Sequence, residues 1–212
     1  LATVSADTDV LSVSDRDRIL QAMAECCAER GYIATTVGEV LERAEVEPES
    51  FESHFAGKED CALAALNKIV SETLARIAMA NPLAANVVDR RKYEIKEILE
   101  MMAAQPSFAW LGYVESRQGG TPRMRDAYES AARVLALMME RAGDPAVSRS
   151  GLARAALGGA EAVVRRELVA GRAEGLPQLL GDFVYAALVP FVGQREALRQ
   201  AKQAARVVAE EG

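Results

Sequence analysis

An all-α protein is predicted by three features of this 212-residue sequence. Half the residues are apolar but only 5% are aromatic, and the abundance of Ala, Leu, Glu and Arg favours helix throughout. Apolar residues recur at three-to-four spacing along the chain, and nowhere is there the strict alternation of a half-buried strand. Capping and breaking residues separate the periodic stretches, from Ser14 and Thr36 to Asn81-Pro82, Pro106 and Gly143-Asp144-Pro145. No internal repeat is present.

Residues 1–13 are small and polar and are expected to be disordered. The first helix starts at Ser14 as N-cap, with Asp15 and Asp17 in its first turn, favourable to the helix dipole. Ile19, Leu20, Met23, Cys26 and Cys27 form its apolar stripe. Gly31 is expected to end it as a left-handed cap, with Tyr32 and Ile33 folding back onto the core. Thr36 and Glu39 have capping-box spacing and open a second helix, with Val37, Val40, Leu41 and Ala44 on one face. Pro48 suits the first position of a third helix, and Phe51 and Phe55 give it an apolar side. A long helix then runs from about Ala56 to Ala80, carrying Leu66, Ile69, Val70, Leu74 and Ile77.

Further helices are expected from about Ala84 to Ala104, Phe108 to Gln118 and Arg123 to Arg141. Between Ser150 and Arg172 small residues cluster, with adjacent Gly158 and Gly159. Each glycine costs a helix interior roughly 1 kcal/mol relative to Ala, which close approach of another helix would offset. The stretch 176–193 is too apolar for a lone surface helix. These two segments are the expected homodimer interface, as two helices from each of two chains in a four-helix bundle. A polar amphipathic helix from Gln194 to Glu210 completes about nine to ten helices.

Helices two and three are too short to be stable alone and must pack on the first. Two short helices around a tight turn are the layout of a helix-turn-helix, whose second helix enters the DNA major groove. Thr35-Thr36-Val37, Ala44-x-Val46 and Ser50-Phe51-x-x-His54-Phe55-x-x-Lys58-Glu59 resemble the N-terminal domain of TetR-type transcriptional regulators. The resemblance covers about residues 15–62; beyond it only the helix layout is similar. It implies a helix-turn-helix domain over 14–62 and a ligand-binding and dimerisation domain over 63–212. It further implies that Lys58 binds phosphate at the start of the fourth helix, and that His54 touches the DNA backbone, against a plain packing role at the surface. Thr36 can cap its helix or meet a phosphate, and Ser50 and Ser53 are small polar groups able to face base edges. The implied partner is double-stranded operator DNA, read by two helices ~34 Å apart in a dimer and released when a small apolar effector favours another geometry.

Charge opposes this reading. Residues 14–62 carry five basic groups against twelve acidic ones, a net of −7, although the whole chain is only −6. Affinity for DNA comes largely from Lys and Arg neutralising phosphates. Where the family usually has Ser or Thr, Gly or Ala, and Tyr, this sequence has Glu47, Glu49 and Glu52. Glu45 stands in the turn where Gly is common. A ligand-binding or protein-interaction module that has lost DNA binding is therefore the alternative.

Met102, Phe108, Trp110, Tyr113, Met124, Tyr128 and Met138 fall on three consecutive helices and are the candidate effector-binding residues, since Met and aromatic side chains make adaptable apolar walls. Glu115 and Arg117 could orient a ligand. The same spacings also fit an ordinary core. No nucleophile elbow, phosphate-binding glycine loop or metal-ligand pair occurs, so neither an enzyme nor a cofactor or metal site is expected. With three cysteines, no signal pattern and no apolar run of ~18 residues, the expectation is a reduced, cytoplasmic protein without a membrane span.

Overall fold

A computed structural model describes residues 14–80, 86–141 and 152–211. The expected stops at Asn81-Pro82 and Gly143-Asp144-Pro145 lie outside these residues, as does the expected disorder of residues 1–13. Among the described residues there is no strand.

Helix α1 spans Asp15–Arg30. The Ser14 hydroxyl accepts the Asp17 N–H at 3.1 Å, satisfying a donor at the helix start. Gly31 ends the helix at positive φ (79°), but its ψ of 155° is extended and not the αL cap expected. The chain therefore leaves α1 straight into the 31–36 loop. Tyr32 is buried there, whereas Ile33 is 80% exposed and does not fold back onto the core.

Helix α2, Val37–Ala44, opens with the complete capping box between Thr36 and Glu39. Glu45 takes the left-handed conformation (φ 53°, ψ 49°), the one non-glycine positive φ among the described residues. Its N–H then reaches back to the Leu41 and Glu42 carbonyls, turning the chain into α3, Pro48–His54. Phe51, and Phe55 just past the helix, are both buried with ring centroids 5.4 Å apart. They join Ile19, Leu20, Met23 and Val40 in one core. That core continues through α4, Lys58–Ala80, into Met101, Phe108, Leu111 and Met124.

Helix α5, Val87–Ala104, starts three residues later than expected, because Asn86 caps it by accepting the Asp89 N–H at 2.9 Å. Its buried face holds Leu99, Met101 and Met102, and also Arg91 and Glu94, while Tyr93 points outward. The following segment is interrupted: α6, Pro106–Trp110, runs into a π-helical turn, Leu111–Glu115, before α7, Ser116–Gln118. The Ser116 hydroxyl donates to the Gly112 carbonyl within this wide turn. Such single π turns are frequent at functional sites.

Helix α8 is Pro122–Arg141 and α9 is Leu152–Val169. Short 3₁₀ turns at Ala173–Gly175 and Pro177–Leu179 lead into α10, Leu180–Val192, and the chain closes with α11, Gln194–Glu211. Gly181 lets α11 approach, since a Cβ there would lie 3.1 Å from the Ala201 carbonyl oxygen. Ala197, Ala201 and Ala204 form the buried face of α11. Contrary to expectation, Ala173–Val192 is long and apolar enough to cross a membrane, with mean hydropathy 1.4. Here it is divided by the 3₁₀ turns, and Leu176, Leu180, Val184 and Leu188 enter a second core with Leu99, Ala109 and Val164.

Candidate functional site

The outward face of α2 and α3 is the first candidate. Glu45, Glu47, Glu49, Glu52, Ser53 and His54 are all exposed. The expected contact residues meet different fates. The Ser50 hydroxyl turns inward and donates to Asp15 of α1 at 2.8 Å, which fixes α3 on α1 and removes Ser50 from the outer face. Ser53 bonds its own helix through the Ser50 carbonyl, also at 2.8 Å. His54 stays outside, its ring 6.0 Å from that of Phe55. Thr36 is exposed but exchanges hydrogen bonds with Glu39, so capping occupies its hydroxyl.

Lys58 departs furthest from the phosphate-binding role. Its ammonium donates to the carbonyls of Tyr32 (2.9 Å), Thr35 (2.8 Å) and Ile33 (3.4 Å) and lies 4.3 Å from the centre of the Tyr32 ring. An ammonium has three donors, and all three tie down the 31–36 loop.

The other cations of the domain are also engaged internally. Arg43 makes a bidentate pair with Glu29 at 2.7 and 2.6 Å, Arg30 pairs with Glu39, and Arg18 pairs with Asp15 at 2.9 Å. Arg16 lies over the Phe55 ring at 5.7 Å. The carboxyls of Glu29 and Asp15 are held below the usual range mainly by the arginines they touch. Basic side chains thus neutralise carboxylates on the flanks, and the outer face of α3 keeps its glutamates bare.

The second candidate is a pair of small cavities inside the helical body, about 80 and 70 Å³. Ile95, Ile98, Leu99, Val164 and Phe183 line the first; Leu66, Ile69, Leu74, Phe108 and Tyr128 line much of the second. Met102, Tyr113 and Glu161 line both and form the waist between them. Burial pushes the Tyr113 phenol up to about 12, and burial, reinforced by the neighbouring Tyr113 and Glu161, pushes Tyr128 well above the ordinary tyrosine value. Arg91 and Glu94, at the far end of the first cavity, pair at 2.6 Å with side chains 10% and 9% exposed. Burial lowers the arginine's pKa and raises the glutamate's.

Of the expected effector-binding residues, Met102, Phe108, Tyr113 and Tyr128 do line these cavities. Trp110 and Met124 do not: Trp110 packs against the second core and Met124 is fully buried in the first. The side chain of Met138 lies outside the described residues. Arg91 and Glu94 escape a search for Met and aromatic walls although they share a helix with Met102, and Glu161 and Phe183 lie in segments read as dimer-forming. Glu115 lines neither cavity; its carboxylate accepts the Tyr32 backbone N–H at 2.7 Å. Arg117 lies at the edge, 3.6 Å from Glu161.

Residues 19–65, which hold α1, the turn, α3 and the start of α4, match the family described as bacterial regulatory proteins, tetR family. That segment is TetR-type in sequence. The chain is also similar to the HTH-type transcriptional regulator TcmR of Streptomyces glaucescens, 39% identical over 74 residues. That match spans 33% of this chain and 33% of the relative's length. Two solved structures have the same fold along most of the chain. One, described as fatty acid degradation regulator FadR from Bacillus halodurans, superposes with a TM-score of 0.71 at 18% identity, covering 86% of this chain and 97% of that one. The other, FadR from Bacillus subtilis in complex with stearoyl-CoA, gives 0.67 at 16% identity, covering 83% and 97%. Outside its TetR-type domain, then, this protein shares helix arrangement with these regulators but little sequence.

Proposed function

We propose that this protein is a TetR-type, ligand-responsive transcriptional repressor, in which residues 14–62 bind operator DNA and residues 63–212 bind a small apolar effector and dimerise. The observation that carries the reading is the family match over 19–65 on an intact three-helix unit, joined by α4 to a helical body with an apolar interior cavity. A relative 39% identical over 74 residues is a transcriptional regulator, and a similar fold holds stearoyl-CoA.

Dimerisation through 150–172 and 176–193 is supported by the surface those segments leave open. A Cβ at Gly158 or Gly159 would meet nothing within 4 Å, so no helix among the described residues offsets their cost. Only 28% of the apolar stretch Ala173–Val192 is buried. A second copy would cover both. Effector entry would act through the π-helical turn, which supplies Tyr113 to the cavity waist and Glu115 to the loop in front of α2.

A second reading is favoured by the bare glutamates of α3 and the commitment of Lys58 to carbonyls: a ligand-binding or protein-interaction module that no longer binds DNA. Titration of binding to the promoter region of the protein's own gene, from low to physiological salt, separates the two. Saturable binding that weakens with salt is expected of the repressor. No binding even at low salt defeats it.

A further inference from the structure

Resting on the cavity as the effector site, we infer that the effector is an apolar molecule with a hydrogen-bond donor, best a protonated amine, near its middle and an apolar arm on either side. The shape of the interior points to two arms. Neither cavity is large enough to take a drug-sized ligand, which needs several hundred Å³, but they meet at a shared waist of Met102, Tyr113 and Glu161. Rotation of Tyr113 away from that waist merges them into one elongated site.

Charge at the waist sets the chemistry of the middle. Glu161 lies there with its side chain only 12% exposed. Among the described residues its ion-pair partner is Arg117, which stands at 3.6 Å, beyond hydrogen-bonding range, and is half-exposed, lying over the Tyr128 ring. Tyr128 is a close neighbour of Glu161, which helps burial to raise its phenol's pKa. A carboxylate has about four lone-pair sites, so acceptor capacity remains for a ligand. A donor seated there gains a charge-assisted bond in a poorly hydrated place, and Arg117 can turn to solvent. A carboxylate seated there would face Glu161 directly. At the far end of the first cavity, Arg91 is held by Glu94 at 2.6 Å, so an anion reaching it would strand a buried glutamate. The other lining of both arms is largely aliphatic and aromatic. This favours amines over fatty-acid-like anions, in contrast to the acyl thioester in the B. subtilis FadR complex.

Three probes that share the same two benzyl arms and differ in the central group test this on the 212-residue protein by calorimetry at pH 7: dibenzylamine, dibenzyl ether and 2-benzyl-3-phenylpropanoate. The expected order is amine tightest, by about 10-fold over the ether, with the carboxylate weakest. Glu161→Gln is expected to erase the amine's advantage while leaving the ether within about 2-fold. Arg117→Ala, which frees Glu161, is expected to strengthen amine binding a few-fold and covers the case in which the Gln variant does not fold. An ether that equals the amine, a carboxylate that binds best, an amine preference that survives in Glu161→Gln, or no gain in Arg117→Ala would each overturn the inference. Ether binding tests the cavity itself: loss of only the amine preference sinks the ligand class, whereas no binding by any probe removes the effector site as well.

Discussion

The Tyr32 backbone N–H donates to the Glu115 carboxylate at 2.7 Å across 83 residues of sequence. Both residues are buried, and the bond joins the π-helical turn to the loop that leads into the capped start of α2. Gly31 and Gly119 flank the same carboxylate; a Cβ at Gly119 would collide with it. This is the most direct polar link between the cavity wall and the TetR-type domain. Glu115→Ala is expected to cost about 2 kcal/mol, the penalty of an unpaired buried N–H and a lost charge-assisted bond. Glu115→Gln, which keeps an acceptor oxygen, should cost less. Urea unfolding gives the energies, and amide exchange at Tyr32 should speed up in the Ala variant alone.

Glu45 holds a left-handed backbone that costs a non-glycine residue about 1–2 kcal/mol. Glycine removes this strain but loses part of the gain to its freer unfolded chain. Glu45→Gly should therefore stabilise the protein by about 1 kcal/mol, read as a higher urea midpoint at unchanged slope.

Reversing charge on α3 should reveal whether the glutamates suppress DNA binding. With Glu49→Lys or Glu52→Lys, affinity for duplex DNA at low salt should rise roughly 10-fold. The slope of log affinity against log salt should steepen by about 0.9 for each phosphate newly contacted. Fluorescence anisotropy on non-operator duplex measures both.

The carboxyl of Glu39 is held below the usual range, first by the Thr36 backbone N–H and then by its hydroxyl. A depressed value means that its contribution is present above the unfolded value of 4.5 and is lost as pH falls through the lower folded value. Wild-type protein should melt above Glu39→Gln at pH 7, and the gap should narrow as the pH is lowered below 4.5.

Cys26, Cys27 and Cys61 are buried and free, and burial pushes the latter two thiols up to about 12. Thiolate is the reactive form, so native protein should resist iodoacetamide at neutral pH. Labelling should follow the rate of unfolding, with mass spectrometry showing all-or-none modification.

Local signals were legible where short-range chemistry decides the outcome. Ser14, the Thr36–Glu39 box and Pro48 each mark a helix start, because a cap needs only neighbours three residues apart. The buried stripe of α4 follows from periodicity alone. What the sequence hid depends on distant partners. Lys58 has the spacing of a phosphate ligand, yet three carbonyls from a loop 23 to 26 residues earlier claim its ammonium. Ser50 seemed free for a base edge until Asp15 came within 2.8 Å. Met124 and Trp110 have cavity-wall chemistry, but which core each helix turns its side chain into depends on distant packing and is not encoded in spacing. Glu161 lay unnoticed in a run of small residues whose pattern suggested only close packing.

The internal pairing of Arg18, Arg30 and Arg43 carries one more implication. A protein that approaches chromosomal DNA with glutamates foremost gains little from loose, sequence-blind contact, and so has little means of sliding along the double helix. A repressor built this way would find its target by repeated free encounters in solution. Its arrival time would be set by copy number more than by the length of flanking sequence.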